Sequence, residues 1–472
     1  DYEVDVTDAN GITYKMPQGN VYFPNIFHRD NYYDIYYQEN YTKKRLNSVF
    51  GTLQLGYKDM VYLDLTARND WSSALAFTES MSFFYPSVGA TFLLDEMFHM
   101  NDDLFDMVKL RASYSVVGND IPAYYSRPVA TLSKLTITLP TVMPFTDWKP
   151  EKTFSIEAGF DLAMLHNRLR TEFTFYKANT KNQYFQVSAP VASGYSKRNI
   201  NAGNVENLGI EASVSYRLDF NHDWSWTPGI NFSYNKNEIK ELCPGLEEYN
   251  LAEASAFIMK LKKGGSYGDI YTYDFQYDDN GNIKLDNTGA PLLTSDADTY
   301  AGNFNSKFHL GWSNTINWKN LNIYALVDGK IGGKVLSMTE AIMDGYGVSK
   351  ATGDARLNGG VPNKDGSMID AEKYYSRVGG RAQNAGFNAM EYMYSATNFR
   401  LRELSVGYTF ENLFGMNKNL TASVVGRNLF FLYKKSPCDP DISGSTGNGW
   451  QGIDVFSLPA TRSWGLNLKL NF

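Results

Sequence analysis

Apolar and polar residues alternate in this chain with a period of two, for about ten residues at a time and many times over. The last segment shows the pattern most clearly. Trp464, Leu466, Leu468, Leu470 and Phe472 fall on one face, and Ser463, Gly465, Asn467, Lys469 and Asn471 on the other. Side chains alternate across a strand, so each such segment is a strand with one apolar and one polar face. Ile210, Ala212, Val214, Tyr216, Leu218 and Phe220 stand in the same way against Glu211, Ser213, Ser215, Arg217 and Asp219. Segments 169–176 and 321–328 repeat the pattern.

The spacing predicts thirteen strands, near Leu46–Tyr57, Met60–Arg68, Ser82–Leu93, Met107–Val117, Thr153–Leu162, Arg168–Ala178 and Leu208–Phe220, then Trp224–Asn235, Lys307–Trp318, Leu321–Ile331, Phe399–Phe410, Asn419–Arg427 and Thr461–Phe472. Pro86 and Pro228 fall inside two of them, and proline belongs at strand starts, edges or bulges. Strands of soluble sheets run about five or six residues, whereas a tilted membrane-crossing strand needs about nine to eleven. The connections alternate as well. Short links follow Tyr57, Leu162, Phe220, Trp318 and Phe410, and long ones follow Arg68, Val117, Ala178, Asn235, Ile331 and Arg427. This is the pattern of an outer-membrane barrel with short periplasmic turns and long external loops.

Energy sets the direction of the alternation. A lysine or arginine facing lipid at mid-bilayer costs about 2–4 kcal/mol, so the row holding Arg217 and Lys469 must face a wet lumen. A chain that enters from an external loop and ends on the periplasmic side has an odd number of strands, whereas whole bacterial single-chain barrels have an even number. Residues 1–472 are therefore expected to be the C-terminal portion of one barrel domain. The fold class is all-β, a transmembrane antiparallel barrel. Composition agrees: aromatics reach 15%. Trp224, Trp226 and Trp318 flank short turns, as an interfacial girdle would. A net charge of −7 argues against a nucleic-acid partner.

Several motifs resemble those of the SusC/RagA type of TonB-dependent outer-membrane transporter. They are Leu65-Thr66-Ala67-Arg68-Asn69-Asp70-Trp71-Ser72-Ser73, with Trp71 where the family usually has glycine, and Phe84-Tyr85-Pro86-Ser87-Val88-Gly89-Ala90. Val108-Lys109-Leu110-Arg111-Ala112-Ser113-Tyr114, Gly118-Asn119, Pro150-Glu151-Lys152-Thr153 and 204–211 follow. Near the end come Asn398-Phe399-Arg400-Leu401-Arg402, Gly426-Arg427-Asn428-Leu429-Phe430 and Asp439-Pro440-Asp441. The resemblance implies a plugged barrel of about 22 strands, so that about nine strands and the plug lie outside this chain. It implies TonB-dependent import of an oligosaccharide or peptide, a SusD-like surface lipoprotein as lid, and a TonB complex engaged through a missing N-terminal region. No cofactor and no enzymatic activity are implied. Phe472 resembles the terminal aromatic read by the barrel-assembly machinery. The alternatives are a passive porin or adhesin barrel, and a secreted all-β sugar-binding protein.

The remaining motifs have plainer readings. Gly264-Gly265-Ser266-Tyr267-Gly268 has the spacing of a nucleophile elbow, but that motif needs a strand before it and a helix after it. His28, His99, His166, His222 and His309 lack metal-ligand spacing. Asp278-Asp279-Asn280-Gly281-Asn282 places its glycine wrongly for a calcium loop and reads as a β-turn. Cys243 and Cys438 lie in loops on the same side, where either a bridge or two free thiols can be drawn. The candidates for substrate contact are loop aromatics: Tyr271, Tyr273, Phe275 and Tyr277 in one loop, Tyr346, Tyr374, Tyr375 and Trp450 in others. Flat rings with polar edges suit sugars and peptide side chains, and they equally suit the packing of a rigid cap.

Overall fold

Thirteen antiparallel strands pair in sequence order into one wall in a computed structural model of the chain. They are β1 (Leu46–Tyr57), β2 (Val61–Ser72), β3 (Ser82–Leu93), β4 (Phe105–Asn119), β5 (Glu151–Met164), β6 (Leu169–Ser188) and β7 (Lys197–Tyr216). The others are β8 (Trp224–Glu241), β9 (Phe308–Trp318), β10 (Leu321–Ile331), β11 (Asn398–Phe410), β12 (Asn419–Lys434) and β13 (Ser463–Asn471). The structure describes residues 42–471 except 101–103, 127–129, 134–135, 144, 146, 190, 244, 255, 381–387, 413–418 and 445–448. It also places a three-stranded sheet of Asp5–Thr7, Ile12–Lys15 and Asp34–Tyr37. Phe472 lies outside the described residues.

Cross-strand register assigns the two faces. One row runs Val214–Ile230–Trp312–Val327–Leu401 over five neighbouring strands and carries no polar side chain. Ile230 is 56% exposed and Trp312 50%, a state that only an apolar solvent makes favourable. The row Thr174–Glu211–Ser233–His309–Lys330 has the opposite facing. It is polar throughout and lines the lumen.

Aromatic rings bound the apolar band. Below, Trp224 pairs with Trp318, and Phe220 stacks edge-on against Trp224 at 4.7 Å. Above, Tyr234 lies 5.1 Å from Phe308. Eleven residues of tilted strand, Trp224 to Tyr234, reach about 25 Å, the height of an outer-membrane apolar band. The inner turns are tight, and Leu165, His166 and Asn167 all adopt left-handed φ.

Some predicted boundaries are corrected. β6 continues to Ser188 rather than stopping at Ala178, and β7 begins at Lys197 rather than Leu208, because this hairpin keeps its ladder past the apolar band. Outside lipid the strand needs no apolar face, so alternation vanishes while pairing persists. β8 and β12 extend past Asn235 and Arg427 for the same reason. The predicted segment Leu208–Phe220 breaks at Arg217, and Leu218–Asn221 forms its own short strand against β8. Both prolines fall where one ladder stops. β3 pairs with β4 only from Ser87, just after Pro86, and β7 pairs with β8 only as far as Gly229, just after Pro228.

The loops after β8, β10 and β12 fold together into a cap. Its four-stranded sheet comprises Glu248–Glu253, Ile258–Lys262, Asp269–Thr272 and Thr299–Asn303. Helices Met338–Gly345, Lys350–Leu357 and Ala371–Val378 begin at Ser337, Ser349 and Asp370, whose side chains accept the free N–H groups of the first turns. Phe257, Met259, Ile270, Leu336, Ile369 and Ile453, drawn from all three loops, share one buried core. The first and third helices touch through Gly345 and Gly379. A Cβ on Gly379 would lie 2.3 Å from the Ala341 carbonyl oxygen.

Candidate functional site

Between the underside of the cap and the lumenal wall lies a cavity of about 1100 Å³. It adjoins a second, of about 560 Å³ and deeper along the wall, the two sharing Glu211, Ser233 and His309. Strand alternation puts Tyr176, Asn207, Asn235 and Asn237 on the lumenal side, and their polar ends link up. The Tyr176 hydroxyl donates to Asn235 Oδ1 at 3.2 Å, and the Asn237 side-chain amide donates to Asn207 Oδ1 at 2.9 Å.

The cap closes on this amide row through the Gly-Xaa-Ser-Xaa-Gly turn. Ser266 Oγ and the Tyr267 backbone N–H both donate to Asn237 Oδ1, at 3.2 and 2.7 Å. Asn303 and Asn305 donate to the Tyr267 carbonyl at 3.0 and 2.7 Å. A strand follows the turn, Asp269–Thr272, so the setting of a nucleophile elbow is absent. Gly268 (φ 94°) is required, since a Cβ there would meet the Phe304 ring at 2.4 Å. Behind it, burial and the Asp269 carboxylate push the Tyr300 hydroxyl up to about 12, so it stays a donor.

A charge network forms another side of the vestibule. Arg400 and Arg402 of β11 reach Asp439 (2.6 Å) and Asp441 (3.1 Å), while Lys330 binds Asp441 at 2.7 Å and Asp328 binds Arg402 at 2.6 Å. The Arg400 guanidinium also lies 4.1 Å from the Phe431 ring centroid. Burial disfavours the Asp441 carboxylate, but Lys330, Arg402 and Arg400 outweigh it and hold its pKa below the ordinary range. Motifs far apart in sequence, Arg400-Leu401-Arg402, Asn428 and Asp439-Pro440-Asp441, thus meet and tie the last long loop to the wall. At the other end of the wall Arg68, Asp70 and Tyr85 make a similar cluster, with Arg68 Nε donating to Asp70 at 2.8 Å.

The aromatics singled out from sequence go mainly into the cap. Phe275 and Tyr374 are buried in its core, 5.8 Å apart, with Tyr273, Tyr375 and Trp450 packed against it. Tyr271 packs edge-on against Tyr300 at 5.6 Å. Tyr277 and Tyr346 are exposed. Asp278 accepts the N–H groups of Asn280 and Asn282 at 2.9 and 2.8 Å, which makes its loop a turn. Cys243 and Cys438 form no disulfide, and burial raises the Cys438 pKa to about 11. The vestibule residues Tyr176, Asn207, Asn235, Asn237 and Lys330 were not singled out. Tyr176, Asn235 and Lys330 lie on the lumenal rows of predicted strands, and only Asn207 and Asn237 stand just past the predicted ends.

A wall with an apolar band outside, a polar lumen inside, short turns below and a packed cap above defines a transmembrane β-barrel of an outer membrane. The family model for TonB-dependent receptor-like β-barrels matches residues 1–332, and the chain belongs to that family, one of receptors and not of enzymes. It spans about half the length of the curated relatives it matches. TonB-dependent receptor P3 of Formosa agariphila is 25% identical over 470 residues, covering 90% of this chain and 45% of the relative. TonB-dependent receptor SusC of Bacteroides thetaiotaomicron is 23% identical, covering 91% and 44%. Among solved structures, the RagAB peptide importer in its open-open state superposes with a TM-score of 0.75 at 20% identity, over 98% of this chain and 51% of that one. The two share a fold.

Proposed function

We propose that the protein imports a large nutrient, an oligosaccharide or a peptide, by TonB-dependent active transport, held between its external loops and a SusD-like lipoprotein lid. The observation that carries this reading is the vestibule. A chamber of about 1100 Å³, lined by side-chain amides, tyrosine hydroxyls and charges of both signs, offers hydrogen bonds to a polar oligomer. Of the loop aromatics expected from sequence to touch substrate, Tyr277 and Tyr346 are exposed on the cap and open to cargo or lid. Further strands pair along the free edges of β1 and β13, because unsatisfied backbone groups in lipid cost several kcal/mol each. A plug then fills the lumen.

The test is native purification in mild detergent, together with cargo uptake measured in intact cells. A stoichiometric lipoprotein partner, with uptake abolished by dissipating the inner-membrane proton gradient, is expected. Fast flux that needs no energy source would replace this reading with a passive pore.

A further inference from the structure

The outward face of the wall changes character at one level. The row Phe175–Ile210–Tyr234–Phe308 completes the apolar band. The next outward row along the same strands is Lys177–Leu208–Lys236. Above it come Asn179, Glu206 and Glu238, then Lys181 opposite Lys152, with Lys240 at a bulge.

These groups form one ribbon. Lys177 pairs with Glu206 at 2.9 Å, Lys236 with Glu238 at 2.8 Å, and Lys240 bridges both carboxylates at 3.2 and 2.8 Å. The Lys181 ammonium lies 5.7 Å from the ring centroid of Phe154, which pairs with Asn179 on the level of Glu206. With Glu241 opposite Asn204, five lysines face three carboxylates, so the ribbon stays positive. The ribbon begins directly above the upper lipid boundary and carries more ammoniums than carboxylates.

We propose that the ribbon on β5–β8 is a binding site for the phosphate groups of anionic lipids in the outward-facing leaflet. The acyl chains lie along the apolar band below, and the phosphate oxygens bridge the exposed ammoniums of Lys177, Lys181 and Lys236, whose flexible stems reach the headgroup level. This inference rests on how the barrel sits in lipid and is independent of what it transports.

The test uses the intact protein in bilayer discs of phosphatidylethanolamine, with and without lipid A, followed by native mass spectrometry of the lipid it retains. The wild type is expected to keep the phosphate-rich lipid preferentially. Lys177→Gln with Lys236→Gln should weaken retention about fivefold per lysine removed. Lys177→Arg with Lys236→Arg should restore it. Should the glutamine pair disturb folding, read as gel migration with and without heating, Lys152→Gln with Lys181→Gln serves the same purpose. Unchanged retention in a folded glutamine variant would overturn the proposal. So would equal displacement by inorganic phosphate, which would mark an ion site in place of a lipid site.

Discussion

The wall and the cap use the same apolar residue types in opposite ways. In the wall, Ile230 and Trp312 point out and stay about half exposed, because their solvent is hydrocarbon and the backbone ladder holds the structure together. In the cap, Phe257, Ile270 and Leu336 have no exposure at all, because their solvent is water and burial drives the folding. The difference teaches that exposure has no fixed meaning along one chain. It must be read against the solvent that each segment meets.

The largest expected effect separates the two regions. Phe257→Ala should cost the cap about 3–5 kcal/mol, opening loop 242–306 to limited proteolysis while the heat-resistant gel mobility of the wall is unchanged. If wall and cap failed together, the two would be one cooperative unit. Ile230→Arg, at mid-band, should cost about 2–4 kcal/mol of folding into vesicles. Ser233→Arg, on the lumenal face of the same strand, should fold nearly as well as the wild type. Equal costs would mean that the faces are wrongly assigned.

A smaller effect tests the helix contact in the cap. Gly379→Ala forces the backbone of Met338–Gly345 away and should cost about 1–3 kcal/mol, seen as faster amide exchange in both helices. The smallest concerns pH. Hydrogen bonds from the Thr288 hydroxyl and the Ala290 N–H, helped by Arg377, lower Asp286 to about 2. A depressed carboxylate stabilises the fold above its unfolded pKa near 4, and that contribution is lost as pH falls through about 2. Asp286→Asn should therefore flatten the acid limb of cap unfolding, measured by tyrosine fluorescence, and leave the wall unaffected.

Lipid made the wall legible in sequence. Wherever a strand crosses the band, one face must be apolar and the other may not be, so period-two alternation marks all thirteen segments. Just beyond Phe175 of β6 and Ile210 of β7 the strands leave the band, the constraint lapses, and the alternation no longer marks the strand. The vestibule was missed for the same reason, since Asn207, Asn235 and Asn237 stand near or past the predicted strand ends. The alternation of Tyr271, Tyr273, Phe275 and Tyr277 was visible, yet nothing local distinguishes a ring open to cargo from one packed in a core.

Sequence alone determined the strand count, their order, which face meets lipid and which end carries the long loops, because each follows from the local cost of a polar group in hydrocarbon. Only the tertiary structure decided how the loops after β8, β10 and β12 share one core, and that Phe275 and Tyr374 lie inside it. It also decided that Arg400 and Arg402 meet Asp439 and Asp441 across the lumenal rim. Those contacts join residues from separate loops and strands. Their energy depends on which surfaces are brought together, and no single segment encodes that.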